Sequence, residues 1–401
     1  MNPPAAPVQD VGATELRDRV HDAGRAHGLD EVGCTDVAAF PEVRRSLEAR
    51  RMAGQHAGMS FTFRNPRRST EPERLLRNAR TLVVGARAYL EPRPERPVGP
   101  VAAVARYAWR DHYAELRTGL DAMATVLRDH GHRAAVFADD NALVDRAAAH
   151  RAGIGWWGRN SNLLVPGAGS WFVLGSVVTD AELPVAAAPV ADGCRSCTRC
   201  VTACPTGAIV ADGVIDGRRC LAWLVQDVGV FPREHRVALG DRIYGCDDCQ
   251  EVCPPGRRDV AEADQGGQVS APHRDGPPDA WVSVLELLDP EVPDATLLAR
   301  FGRWYIPRRE PRHLRRNALV VLGNVGDAGD PVQRATLARW CHDDDDLLRA
   351  HAVWAAARLG LTGLVEARRD DPSPLVRAEV ALAPTVPPAP GAATAAPVEL
   401  T

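Results

Sequence analysis

Apolar residues recur at helical spacing through Leu116, Leu120, Met123 and Leu127, which predicts an amphipathic helix over residues 113–130. The same pattern predicts helices at 14–28, with Thr14 as a candidate cap, and at 142–152. Short apolar runs at 81–86, 134–138 and 171–179 read as strands. Gly153, Gly155 and Gly158 interrupt the pattern and let the backbone approach a large ligand closely. Strands alternating with helices indicate an α/β (α+β) domain over residues 11–184.

Further along, residues 282–383 read as helical. The strings Leu314-Arg315-Arg316-Asn317-Ala318, Leu347-Leu348-Arg349-Ala350 and Leu375-Val376-Arg377-Ala378 each open a helix-like run, 33 and then 28 residues apart. That period suits helical hairpins stacked as a short HEAT-like solenoid, an all-α domain. Residues 259–281 are polar and rich in Gly, Asp and Pro, and read as a linker. Residues 384–401 are rich in Ala and Pro and read as a disordered tail.

A chain of 401 residues with 45% hydrophobic and 25% charged residues has room for two or three domains. The net charge of −4 gives no global pull towards nucleic acid, so any polyanion site must be a local patch. All 48 basic residues are arginine, which base composition explains. The longest apolar runs are strand-sized, which excludes a membrane span. The first residues have neither a basic nor an apolar signal region, which points to the cytoplasm. Structural disulfides are rare there, so ten cysteines read as metal ligands rather than staples.

Eight of the ten fall between residues 185 and 258. The first run is Cys194-x2-Cys197-x2-Cys200-x3-Cys204-Pro205, the spacing of bacterial ferredoxins. The second is Cys246-x2-Cys249-x3-Cys253-Pro254, with Cys220 between the runs. A cubane needs three thiolates from a tight loop and a fourth from a distant segment. We therefore expect a double [4Fe–4S] ferredoxin-like module. Cys194, Cys197, Cys200 and Cys253 hold one cluster, and Cys204, Cys220, Cys246 and Cys249 the other. Two zinc sites are the alternative. Cys34 and Cys341 lie outside the pattern and read as buried small hydrophobes.

Two segments of the first region look chemical, Phe137 to Arg146 and Ala152 to Ser161. Asp139 stands where a strand ends and a helix begins, the position of a catalytic carboxylate and equally of a helix cap. The glycines do not match a dinucleotide fingerprint.

With these strings the chain resembles the epoxyqueuosine reductases, cobalamin-dependent iron–sulfur enzymes of tRNA queuosine biosynthesis, from about residue 14 to 360. The motifs that carry the resemblance are Arg242-Ile243-Tyr244-Gly245-Cys246-Asp247-Asp248-Cys249-Gln250 and Ala152-Gly153-Ile154-Gly155-Trp156. Asp139 to Arg146, Arg106-Tyr107-Ala108-Trp109, and Arg316-Asn317-Ala318 with Leu322-Gly323-Asn324 add to them. Asp111-His112-Tyr113 and Pro255-Gly256 depart from the family pattern without touching a cluster ligand or the acid.

The resemblance implies a substrate, tRNA carrying epoxyqueuosine at the wobble position, and a product, queuosine, formed by loss of the epoxide oxygen as water. It implies two [4Fe–4S] clusters, cobalamin and an external low-potential donor of the ferredoxin or flavodoxin type. Electrons pass through the clusters and reduce cobalamin to Co(I), and an acid protonates the leaving oxygen. Asp139 matches that acid, and burial beside an apolar corrin suits such a carboxyl. Arg68, with Arg64 or Arg67 as alternatives, matches an arginine near the cofactor. Asn160, Ser161, Leu163 and Ala222 fall in segments that line cobalamin. Arg146 matches a tRNA-contacting position or is a solvated helix arginine.

Arg300, Arg303, Arg308, Arg309, Arg312, Arg315 and Arg316 crowd 17 positions that hold one acid, Glu310, with Trp304 and Tyr305 interleaved. Arginines with aromatics suit phosphates and unpaired bases of an anticodon stem-loop. Arg308, Arg309, Arg312, Arg315 and Arg316 are the expected contacts, in a monomer that needs no membrane. Two rival readings stand beside this one. A dehalogenase-like reductase of a small molecule would keep the corrin, and a pure electron-transfer protein would lack it.

Overall fold

The computed structural model describes residues 11–256 and 278–389. The N-terminal segment read for targeting, most of the expected linker and most of the expected tail lie outside the described residues. Contacts divide the chain into two interleaved units. The first takes Met1–Arg93, Arg110–Arg218 and Asp247–Gly276, and the second Pro94–Trp109, Arg219–Cys246 and Pro277–Thr401.

In the first unit a four-stranded sheet runs in the order Glu31–Asp36, Thr81–Ala88, Phe172–Thr179, Ala134–Ala138. Every pairing is antiparallel, so the mixed fold takes its α+β form. Strand Glu31–Asp36 gave no sequence signal, because Gly33 and the polar Thr35 and Asp36 break its apolar run. Helix His112–Asp129 starts where the Asp111 carboxylate accepts the Ala114 N–H at 2.9 Å. It buries Leu116, Leu120, Met123 and Leu127 completely, each contributing about 2 kcal/mol. Helix Ala13–Ala26 begins after Gly12, which has no side-chain cap. Thr14 lies inside the helix and is not its cap.

In the second unit, strands Arg242–Tyr244, Val101–Val104 and Trp281–Ser283 form a small mixed sheet. Helices follow, and the three similar strings all lie on them. Helix Arg312–Val325 packs on Asp346–Arg358, which packs on Pro374–Leu382. Asp345 and Ser373 cap the second and third by accepting the N–H groups of Leu347 and Leu375. One apolar cluster, including Trp109, Phe231, Phe301, Leu319 and Trp354, forms the core of this unit. No helix among the described residues is long and apolar enough to cross a membrane.

Candidate functional site

Asp139 follows the last sheet pairing, Ala138 opposite Gly175, and leaves the sheet at φ 52, a left-handed conformation. The next helix begins only at Asp145, so Asp139 caps nothing. Its loop is tied at several points. The Arg117 guanidinium donates to the Ala138 carbonyl. The Ser69 hydroxyl donates to the Asn141 carbonyl at 2.5 Å, and the Val144 N–H donates to the Ser69 carbonyl at 3.1 Å. The Asp140 carboxylate accepts the Ala142 N–H at 2.7 Å.

Asp139 is exposed at its edge, yet desolvation by the protein around it raises its carboxyl above the ordinary value. Arg117 opposes that shift, while Asp140 and Asp111 add to it. Desolvation raises Asp145 well above the ordinary value too. Arg146 opposes that shift, and Asp139 and Asp140 reinforce it. This end of the sheet therefore shifts two carboxyls towards the protonated form.

Arg68 lies on the adjoining short helix Pro66–Ser69, started by the Asn65 side chain. It is exposed and makes no side-chain hydrogen bond or ion pair among the described residues. Arg67, by contrast, is held by Glu71 at 3.1 Å. Arg146 is exposed on helix Asp145–Arg151.

Gly155 and Gly158 lie close against the protein's own chain. A Cβ on Gly155 would lie 2.2 Å from the Leu164 carbonyl, and one on Gly158 2.1 Å from the Leu164 side chain. Their smallness admits the strand Leu163–Leu164 against Trp156–Trp157. Ser161 is buried at φ 63. Leu163 packs in an apolar cluster with Leu82 and Val84, so its side chain is part of the core. Ala222 belongs to the second unit, where its carbonyl accepts from Gln226.

Cys194, Cys197, Cys200 and Cys253 line one cavity of about 340 Å³, with Trp156, Asn160 and the Pro254-Pro255 pair. The Cys253 thiol is pushed up to about 12 by burial, with Cys194, Cys200 and Cys197 adding to the shift. Among the described residues no three His, Cys, Asp or Glu side chains converge as for a single metal ion. Four cysteines line the cavity, and thiolates are the donors an iron–sulfur cubane takes. Asn160 donates to the Cys249 carbonyl at 3.4 Å while lining this cavity, a placement the sequence did not signal. Cys204 and Cys249 belong to the first unit, Cys220 and Cys246 to the second. The Cys204 sulfur accepts the Ala208 N–H at 3.2 Å. Cys34 and Cys341 are buried, and burial pushes both thiols up to about 12.

Gln250, between Cys249 and Cys253, is a further residue that spacing did not single out. Its amide donates to the Tyr89 hydroxyl at 2.9 Å and the Ser170 carbonyl at 3.1 Å, fixing the segment that carries both cysteines.

In the second unit the arginine run separates into different roles. Arg316 is wholly buried. It donates to the carbonyls of Asp227 and Gly229, both at 2.8 Å, and of Leu224 at 3.1 Å. It cannot reach a phosphate, which corrects its assignment to the tRNA face. Trp304 is also buried, stacked on Tyr244 at 4.6 Å, and is closed to bases. Arg312 pairs with Asp345 at 2.8 Å, and Arg315 pairs with Asp294. Arg308 and Arg309 are exposed at φ 54 and 59, with Tyr305 exposed nearby in sequence. Arg309 donates to the Gly302 carbonyl at 2.6 Å, whereas Arg308 makes no side-chain hydrogen bond or ion pair among the described residues.

Residues 193–256 match the 4Fe-4S double cluster binding domain family. The epoxyqueuosine reductase of Vibrio cholerae is 34% identical over 338 residues, 82% of this chain and 88% of that protein. A crystal structure of an epoxyqueuosine reductase with an epoxyqueuosine-modified tRNA-Tyr stem loop has a TM-score of 0.81. It is 28% identical, with 92% of this chain and 98% of that one covered. A Bacillus subtilis structure, described with its catalytic aspartate loop swung out of the active site, has a TM-score of 0.80. It is 26% identical, with 92% of this chain and 98% of that chain covered. The chain belongs to the epoxyqueuosine reductase family, as an oxidoreductase with a double [4Fe–4S] cluster binding domain.

Proposed function

We propose that Asp139 is the general acid in the reduction of epoxyqueuosine to queuosine at the wobble position of tRNA. The observation that carries this reading is its place. An accessible carboxyl, raised above its ordinary value, stands on a braced left-handed turn at the sheet's end. The reaction takes two electrons and two protons, breaks both epoxide C–O bonds, and leaves an alkene and water. Cobalamin supplies, when bound, low-potential cobalt chemistry towards the epoxide. Asp139 holds a proton on its carboxyl and passes it to the oxygen as the C–O bond breaks. Arg117 steadies the turn from which Asp139 points. In the Bacillus subtilis relative a catalytic aspartate loop is described as swung out of the active site. Here the ties from Ser69 and Arg117 would hold it in.

The unpaired Arg68, on a helix hydrogen-bonded to the acid loop, fits a contact to the amide-rich rim of cobalamin. Ser161 and Asn160 would offer polar groups, and Leu163 and Ala222 backbone or shape. Cys194, Cys197, Cys200 and Cys253 would hold one cluster, and Cys204, Cys220, Cys246 and Cys249 the other. In the second unit, Arg308 and Arg309 would lead the contact with the anticodon stem-loop. The paired Arg312 and Arg315 are secondary, and Arg146 contributes from the acid loop's helix. The helices from Arg312 to Leu382 would form a HEAT-like support for this face. We place the protein in the cytoplasm, as a monomer fed by an external low-potential donor. A dehalogenase-like or purely electron-carrying role would leave the arginine face without a purpose, and a relative is solved with a modified tRNA stem loop.

Nucleoside analysis tests the reading. tRNA bearing epoxyqueuosine is incubated anaerobically with protein, cobalamin and a low-potential reductant. Wild type should yield queuosine, and Asp139→Ala none, with iron content unchanged. Full conversion by Asp139→Ala would remove it as the acid.

A further inference from the structure

The cavity of Cys194, Cys197, Cys200 and Cys253 opens beneath a loop whose charge departs from that of the chain. The protein carries a net −4, yet among the described residues no carboxylate lines this cavity, while Arg159 and Arg199 do. Arg159 is compensated. It pairs with Asp212 at 3.0 Å and donates to the Arg195 carbonyl at 2.6 Å, bracing the loop. Arg195 and Arg199 are not compensated. Both are exposed, and neither side chain makes a hydrogen bond or ion pair among the described residues. Arg195 sits at φ 46, a conformation L side chains rarely adopt. The neighbouring Asp192 carboxylate is committed, accepting the Cys194 N–H at 2.8 Å. Cys194 and Cys197, neighbours of these arginines in sequence, are only half-buried.

We infer that the Cys194–Cys200 loop is the docking surface for an acidic, low-potential electron-carrier protein, with Arg195 and Arg199 as its charged contacts. This rests on the assignment of the four cysteines to a cluster. Each docking event moves one electron. The donor is oxidised by one electron, the cluster falls from the 2+ to the 1+ state, and no bond forms or breaks. Two events supply the electron pair that one epoxide consumes. Unpaired surface cations around a redox centre steer an anionic partner, and such steering raises association rates by about 10 to 1,000-fold at low salt.

The test uses the full-length holoprotein in anaerobic stopped flow, reading cluster bleaching. The reductant is either an acidic reduced ferredoxin or reduced methyl viologen, a small cation that needs no docking. In Arg195→Glu/Arg199→Glu the ferredoxin-driven rate should fall by about tenfold or more, and its decrease with added salt should disappear. The viologen-driven rate should not fall, and iron content should match wild type. The neutral Arg195→Gln/Arg199→Gln variant should show a smaller loss of the same kind, and it replaces the first if charge reversal costs a cluster. An unchanged ferredoxin rate with unchanged salt dependence overturns the inference. So does an equal fall with both reductants, which would make the arginines tuners of the cluster. An iron-free wild-type protein would overturn the cysteine assignment itself, a failure seen before any rate is measured.

Discussion

Arg316→Met separates structural from functional arginines most directly. In the folded protein the Arg316 guanidinium bonds the buried carbonyl of Leu224, the part-buried carbonyls of Asp227 and Gly229, and the buried Asn317 side-chain oxygen. Orphaning these four acceptors costs about 1–2 kcal/mol for each buried one and less for each part-buried one, about 5 kcal/mol together. Burial pulls the Arg316 pKa down to about 10, so removing the buried charge returns about 3 kcal/mol. The net loss is about 2 kcal/mol, and methionine keeps most of the packing volume. With a urea dependence of about 2 kcal/mol per molar, the unfolding midpoint read by circular dichroism should drop by about 1 M. Because Arg316 is closed to solvent, tRNA affinity per folded molecule should hold, with the same salt dependence. Arg308→Ala/Arg309→Ala should do the reverse. The midpoint should stay, and the slope of log affinity against log salt should shrink by about one per lost contact. If Arg316→Met kept its midpoint and flattened the salt slope, the burial argument would be wrong and Arg316 would be a phosphate contact.

The remaining predictions concern the acid and the clusters. Asp139 must be protonated to act, and its pKa is raised, so single-turnover rates should fall as pH rises through that value. Asp139→Asn should remove both the rate and that limb. Arg117→Leu takes away the cation that holds the Asp139 carboxyl down, so the limb should move to higher pH. It also frees the Ala138 carbonyl, and the rate should drop even at the new optimum, whereas a role in packing alone would leave the pH profile in place. Cys253→Ala should lower iron from about eight to about four per chain, with one cluster signal remaining by electron paramagnetic resonance. Loss of no iron would release Cys253 from the ligand set.

The sequence on its own determined the chemistry that depends on local spacing. The CxxCxxCxxxCP run, the strand leading into Asp139 and the helices with apolar residues three and four apart were all legible, because each signal spans a few turns of chain. Tertiary structure decided whatever depends on segments far apart. Spacing cannot say that Arg316 turns inward while Arg308 turns outward, since both sit in one basic run and only burial distinguishes them. It cannot say that Gly155 and Gly158 make room for Leu164, or that Gln250 reaches Tyr89 across 161 residues. Residue type sets what a side chain can do, and the packing of distant segments sets whether water, a partner or the protein's own carbonyls receive it.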